Sequence, residues 1–269
     1  MIIHTSEKKP WIVLIHGLGV SENVWFDPIK EKVLFLSFKS LLKNEKDITP
    51  FTERLKGTCN IASWSQDKKS TIDEAANELK NICNFIGNKK FIFLAHSRGG
   101  LVARRAIQLF NLKPEAIICL SSPHYGSYFA DIVIRYKKIL TIFMPSIKEF
   151  LKPIEELSPN SNFIKALNAH DALKKEEHIP HFDIFGNSTT YVKMGFLDIM
   201  GSIERIFRNR TIDEWKNGYG DGFVSTKSTI SPLTPPEHAY TLPVNHLNIL
   251  IDNKTWGIVN SIFKKIFEI

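Results

Sequence analysis

The 269-residue chain predicts an α/β domain built on a mostly parallel central sheet with flanking helices. Three observations carry that expectation. Several short apolar runs rich in Ile, Val, Leu and Phe read as strands buried on both faces, as parallel strands are. Segments with apolar residues at helical spacing lie between them, so strand and helix alternate. At one junction, Phe91-Ile92-Phe93-Leu94-Ala95-His96-Ser97-Arg98-Gly99-Gly100, strand passes into helix through a very short cluster of small and polar residues. The length suits one domain spanning 1–269, and 43% hydrophobic with 23% charged residues is enough for a substantial core.

Taken in order, Trp11–Ile15 reads as a buried strand running into His16-Gly17-Leu18-Gly19. Val33–Leu42 has helical spacing, and Thr58–Trp64 reads as a second strand. Ser70-Thr71-Ile72-Asp73-Glu74 is a helix start with an N-cap candidate and acidic residues in the first turn. That helix runs through Ala75, Leu79, Ile82 and Phe85 and closes at Gly87-Asn88. After the Phe91 strand, a helix carrying Leu101, Val102, Ile107 and Leu109 leads to the strand Ala116–Leu120. Residues 129–151 are unusually apolar for a connection, with Ile132, Val133, Leu140, Ile147 and Phe150 at helical intervals. A strand at His181–Gly186, a long excursion over 187–220, a last strand near Ala239–Val244 and a helix from about Thr255 to Phe267 complete the chain.

Composition narrows the partners. A net charge of +7 and a pI near 9.2 permit anionic partners, yet the lysines are scattered and no basic-aromatic cluster marks a nucleic-acid module. Cys59, Cys83 and Cys119 have no paired spacing and read as buried thiols. The N-terminus lacks the layout of a signal peptide, and no apolar stretch is long enough to span a bilayer. The expected location is cytoplasmic, with a trimmed form of a secreted protein as the alternative.

A serine at the apex of a strand–turn–helix junction has the geometry of a nucleophile elbow. So sharp a turn needs small residues two before and two after Ser97, and Ala95 and Gly99 stand there. The turn lifts the hydroxyl above the sheet and aims the helix N-terminus, with the Arg98 amide, at a developing oxyanion. Ala-His-Ser-x-Gly-Gly resembles the nucleophile motif of the α/β-hydrolase superfamily, most of all that of bacterial lipases. The resemblance implies partners in the order nucleophile, acid, histidine.

Four further segments carry it. His16-Gly17-Leu18-Gly19 resembles the oxyanion loop, which implies that the Leu18 and Arg98 amides form the oxyanion hole. Gly218-Tyr219-Gly220-Asp221-Gly222-Phe223-Val224 resembles the loop that carries the acid, and implies Asp221. Asp183 is the rival acid, placed beside a strand end; Asp198 and Asp213 are weaker ones. His246, between the last strand and the last helix, takes the place of the base. His16 reads as a loop brace, and His124, in a Pro-His-x-Gly-Ser-like run, resembles a position that lines the loop without accepting the proton. Residues 127–178 are then expected to form a helical cap or lid, the plainer alternative being helices packed on the sheet.

The implied activity is that of a serine carboxylic ester hydrolase, lipase- or esterase-like, cleaving lipid or acyl esters through Ser97, Asp221, His246 and an acyl-enzyme. A phospholipase, thioesterase or acyltransferase would use the same residues. A catalytically silent ligand-binding module is the reading from another class. The implied partner is a small-molecule or lipid ester, with transient contact to a lipid interface and no nucleic acid. No cofactor is expected. Some of these lipases hold calcium through an Asp just past the histidine; here Asn248 stands there and the next acid is Asp252, so no obligatory metal is expected.

Overall fold

The computed structural model describes residues 2–3, 6–33, 36–37, 48–143, 145–189 and 212–268. The elements in order are β1 (Ile2–Ile3), β2 (Trp11–Ile15), α1 (Asn23–Phe26), β3 (Lys32–Val33), β4 (Leu36–Ser37), α2 (Phe51–Leu55), β5 (Asn60–Ser63), α3 (Ile72–Ile86), β6 (Phe91–His96), α4 (Arg98–Phe110) and β7 (Ile117–Leu120). There follow α5 (Tyr128–Arg135), α6 (Lys137–Phe143), α7 (Leu151–Glu156), α8 (Asn162–Leu167), α9 (His170–Leu173), β8 (His181–Gly186), β9 (Ala239–Leu242) and α10 (Asn253–Phe267).

Seven strands form one sheet in the order β1-β5-β2-β6-β7-β8-β9. Every pairing is parallel except that of β1 with β5. Successive residues of a strand point to opposite faces, and both faces are covered. Val13, Ile15, Phe93 and Ala95 pack with Ile72, Leu79, Val102 and Ile107 of α3 and α4. Ile12, Leu14, Ile92 and Leu94 pack on the other side with Trp25, Phe51, Val259 and Phe263 of α1, α2 and α10. This two-sided burial is why the strands are continuous apolar runs instead of alternating ones.

Local chemistry sets the helix ends. Thr71 accepts the Glu74 amide at 3.2 Å while the Glu74 carboxylate accepts the Thr71 amide at 2.6 Å, a capping box that opens α3. Gly87, at φ +67°, closes the same helix.

The helix expected over Val33–Leu42 is not what its described part forms. Lys32–Val33 and Leu36–Ser37 are an antiparallel pair, with Val33 opposite Leu36. A short apolar run does not fix the period by itself, and Val-Leu-Phe-Leu suits an extended ladder as well as a helix. Residues 34–35 and 38–42 of that segment lie outside the described residues, as do Met144 and, from the excursion after β8, Tyr191, Phe196, Asp198 and Phe207.

The topology gathers the loops that matter. β2 and β6 are neighbours, Ile15 opposite Ala95, so the loop after β2 and the turn after β6 emerge side by side at their C-terminal ends. Ligands of open α/β sheets bind outside those ends. β7, β8 and β9 run parallel to β6, so their C-terminal ends lie on the same rim.

Candidate active site

Ser97 sits at φ 53°, ψ −127°, a backbone region that a non-glycine residue enters only when its surroundings impose it. Those surroundings are tight. A Cβ on Gly99 would lie 2.4 Å from the Ile15 carbonyl oxygen. The small residue two after the serine lets α4 approach β2 so closely, and the cost of the strained turn is borne by packing. Within 91–100, Ser97 is the residue that keeps partial exposure while the others are buried.

Asp221 and His246 meet. His246 Nδ1 lies 2.8 Å from Asp221 Oδ2, and Asp221 is fully buried. A carboxylate only accepts, so Nδ1 carries a proton, and the neutral ring then keeps its lone pair on Nε2. Asp221 Oδ1 accepts the Phe223 and Val224 amides at 3.0 and 2.8 Å, and the Asp221 carbonyl accepts the His246 amide at 3.0 Å. The acid is thus held by its own tight loop and holds the histidine by both side chain and backbone.

His246 and Ser97 border the same cavity of about 80 Å³, whose remaining walls are almost all apolar, including Leu18, Phe129, Ile154, Leu157 and Phe223. Leu18 follows β2, where the sequence placed an oxyanion donor. Arg98 is the first residue of α4, where backbone amides have no intrahelical acceptor. Its side chain does separate work. The buried guanidinium donates to Gln66 and to the Ser70 carbonyl, at 2.7 Å for the latter.

The rival residues find other partners. Asp183 is not at a strand end but inside β8, opposite Cys119. Its Oδ1 accepts His124 Nε2 at 2.9 Å, while Oδ2 accepts the Ser231 amide at 2.7 Å and the Thr234 hydroxyl at 2.6 Å. His124 Nδ1 faces the Arg104 guanidinium at 3.4 Å, and Arg104 is paired with Glu176 at 2.8 Å with both side chains fully buried. Burial pushes the Asp183 carboxyl up, but His124 and the Ser231 and Thr234 donors outweigh it and hold it below its ordinary value. Cys119 Sγ lies within 4.8 Å of both ligand atoms, a set able in principle to hold a metal. Burial holds that thiol well above its usual range, so a thiolate is not on offer, and the Arg104 cation already faces the group. Hydrogen bonding fits this cluster better than metal binding. Asp213 pairs with Lys216 at 2.9 Å near the surface. Asp252, considered for calcium, caps α10 by accepting the Thr255 amide at 2.9 Å.

His16 braces the loop after β2. Its Nε2 accepts the Gln66 amide at 2.9 Å, so its Nδ1 donates to the Gly17 carbonyl at 2.8 Å. Burial lowers its pKa to about 4, so it is neutral at physiological pH. Sequence reasoning assigned no role to His96. Its Nε2 donates to the His246 carbonyl at 2.9 Å and the two rings lie 4.8 Å apart. Burial, and then His246, drive its pKa well below the usual value. Phe223 was likewise unassigned, and its ring lies 5.2 Å from that of His246. Nothing local marks either residue, because each acts on a partner far along the chain.

The arrangement offers a strained serine and a histidine oriented by a buried carboxylate around one apolar cavity, with Leu18 on its wall and the serine at the N-terminus of α4. That combination suits nucleophilic attack on an acyl carbon. A family profile described as palmitoyl protein thioesterase matches residues 11–179. The mature lipase BlEst2 of Bacillus licheniformis superposes with a TM-score of 0.62 at 20% identity, over 96% of this chain and 94% of that one. The metagenomic carboxyl esterase MGS0156 gives 0.60 at 12% identity, over 98% and 77%. A carboxylesterase structure from the thaumarchaeon Nitrososphaera gargenis gives 0.55 at 12% identity, over 100% and 94%. These likenesses show the α/β-hydrolase fold. No curated protein sequence matches the chain significantly. The matched 11–179 span contains Leu18, Ser97 and Arg98 but ends before Asp221 and His246, which rest on geometry and on their order in the chain.

Proposed function

The chain belongs to the palmitoyl protein thioesterase family, and from that premise we propose that it hydrolyses acyl esters or thioesters through an acyl-enzyme on Ser97. The observation that carries the reading is the opening of Ser97 and the Asp221-oriented His246 onto one apolar cavity.

In this mechanism Ser97 Oγ attacks the acyl carbon as His246 Nε2 takes its proton. Asp221 holds the tautomer and stabilises the imidazolium. The Leu18 and Arg98 amides hold the oxyanion, where removal of one donor typically costs ~100-fold or more in kcat. The imidazolium protonates the leaving alcohol or thiol. Water then attacks the acyl-enzyme, His246 again taking the proton, and the acid leaves. No cofactor enters the sequence.

The apolar walls suit an acyl chain. A volume of about 80 Å³ is far below the ~300–1,000 Å³ of pockets that enclose drug-sized ligands, so the present shape admits the ester group and the first carbons of the chain. Longer chains require Phe129, Ile154 and Leu157 to move. All three belong to α5, α7 and the residue after it, which makes residues 127–178 the cap of this reading. Ile139 and Ile142 on α6 are 50% and 74% exposed beside Lys137 and Lys138, which supports transient contact of that cap with a lipid interface.

Family membership favours a thioester over an oxygen ester as the substrate. Hydrolysis of matched oxygen esters and thioesters of short and long acyl chains by wild type, Ser97→Ala and His246→Ala tests both points. The expected result is activity in wild type alone, with the thioester-to-ester ratio deciding the leaving group. A wild type inert on every acyl substrate would instead favour a ligand-binding module.

A further inference from the structure

Glu214 is fully buried in a short 3-10 turn, Asp213–Trp215, and has no part in the proposed chemistry. It touches two parts of the site. Its carbonyl oxygen accepts the Gly222 amide at 2.9 Å. Gly220 lies so close that a Cβ there would come within 2.4 Å of the Glu214 Cα, so only glycine fits. Gly220 and Gly222 flank Asp221. The carboxyl reaches the other way, Oε1 accepting the Tyr128 amide at 2.9 Å. Tyr128 opens α5, where a first-turn amide needs an acceptor from outside the helix, and the next two residues, Phe129 and Ala130, line the cavity. Alongside, Ser127 Oγ donates to the Phe223 carbonyl at 2.6 Å and accepts the Phe129 amide at 3.1 Å. Among the described residues Glu214 Oε2, which is buried, has no hydrogen-bond partner.

We propose that Glu214 is a positioning residue that locks the first turn of α5 to the loop carrying Asp221, setting both a wall of the cavity and the aim of Asp221 at His246. The proposal rests on the triad reading above. The orphan oxygen indicates which form locks. A buried carboxylate with an unpartnered oxygen is strongly disfavoured, whereas the protonated carboxyl keeps the Tyr128 bond without a buried charge. Burial raises the Glu214 pKa to about 7 against the opposing pull of its own amide and that of Tyr128, and the Asp213 and Asp221 charges add to the rise. The charged groups on the elements around it are Asp213, paired with Lys216 on its own turn; Asp221, paired with His246 on the acid loop; and, on α5, Asp131, hydrogen-bonded to Ser158, with Arg135 in the last turn of that helix. Among the described residues no cation pairs with Glu214. Ionisation therefore adds a second buried negative charge near Asp221 and loosens the lock.

The test compares kcat/KM from about pH 5 to about pH 9 for wild type, Glu214→Gln and Ser97→Ala on one acyl substrate. Glutamine keeps an acceptor for the Tyr128 amide and never ionises. Wild-type kcat/KM is expected to fall about tenfold between about pH 7 and about pH 9, while Glu214→Gln stays level there and Ser97→Ala is inactive throughout. Thermal melts give a second readout. The folded pKa is raised from 4.5 to about 7, so the stability it contributes is complete below 4.5 and lost as pH rises through about 7. The Tm of wild type relative to Glu214→Gln should fall across that window. Superimposable pH profiles with a pH-independent Tm difference overturn the lock and leave the triad standing. Activity in Ser97→Ala overturns the triad reading, and the lock with it.

Discussion

Among the described residues, two buried carboxylate–histidine pairs are hydrogen-bonded, Asp221–His246 at 2.8 Å across the connections either side of β9 and Asp183–His124 at 2.9 Å between β8 and the loop after β7. Their chemistry is the same and their surroundings differ. His246 borders the cavity shared with Ser97, and among the described residues its second nitrogen has no hydrogen bond. His124 is fully buried, and its second nitrogen faces Arg104 at 3.4 Å. In the proposed mechanism the first pair moves a proton to and from a substrate. The second joins β8, the loop after β7 and α4 into one hydrogen-bonded unit. A carboxylate beside a histidine is therefore no signature of catalysis; what faces the other imidazole nitrogen decides.

The sharpest way to break the contrast is to remove the histidines and the serine. Ser97→Ala and His246→Ala should each lower kcat by about 10⁴-fold or more, while folded His124→Gln should stay within about tenfold of wild type. The acids come next. Asp221→Asn should cost about 10³–10⁴-fold in kcat with a modest change in Tm, because the loop amides keep an acceptor. Asp183→Asn should do the reverse, costing about 2–4 kcal/mol of stability in urea unfolding as three donors lose a buried carboxylate, with activity per folded molecule largely kept. Equal loss of activity from both Asp variants would erase the distinction.

Acid should strain the buried neutral histidines. His16 and His181 have pKa values lowered by burial from 6.5 to about 4 and about 3. Their neutral forms stabilise the fold above pH 6.5, and that contribution is lost as pH falls toward those values, about 3 kcal/mol for His16 alone. Thermal melts should therefore show Tm falling below about pH 6.5, and His16→Gln should flatten part of the slope. The smallest effect sharpens the contrast as a control. Thr71→Ala, at a side chain that bonds only Glu74 among the described residues, should cost about 1 kcal/mol in the same urea assay and leave kcat within about twofold of wild type.

Much of this was legible in the sequence, for physical reasons. Strands buried on both faces are continuous apolar runs, so β2, β6, β7 and β8 announce themselves. The elbow is legible because its steric demand is local: Ala95 and Gly99 must be small. Asp221 and His246 could be reached only through their order and their resemblance to known loops, since the bond between them spans 25 positions. The second pair was not legible as a pair. His124 and Asp183 are 59 positions apart, and each appeared only as a rival of the other two. The bracing of His246 by His96, across 150 positions, left no local mark either. At Val33 the run was too short to fix its period, and a helix was expected where β3 and β4 pair.

The most direct test of the central claim is intact-mass and peptide mapping after treatment with a serine-directed fluorophosphonate, using wild type, His246→Ala and Asp183→Asn. A single adduct on Ser97, formed at similar rates in wild type and Asp183→Asn and greatly slowed in His246→Ala, is the predicted result. Labelling at another residue, or Ser97 labelling that is indifferent to His246, would contradict it.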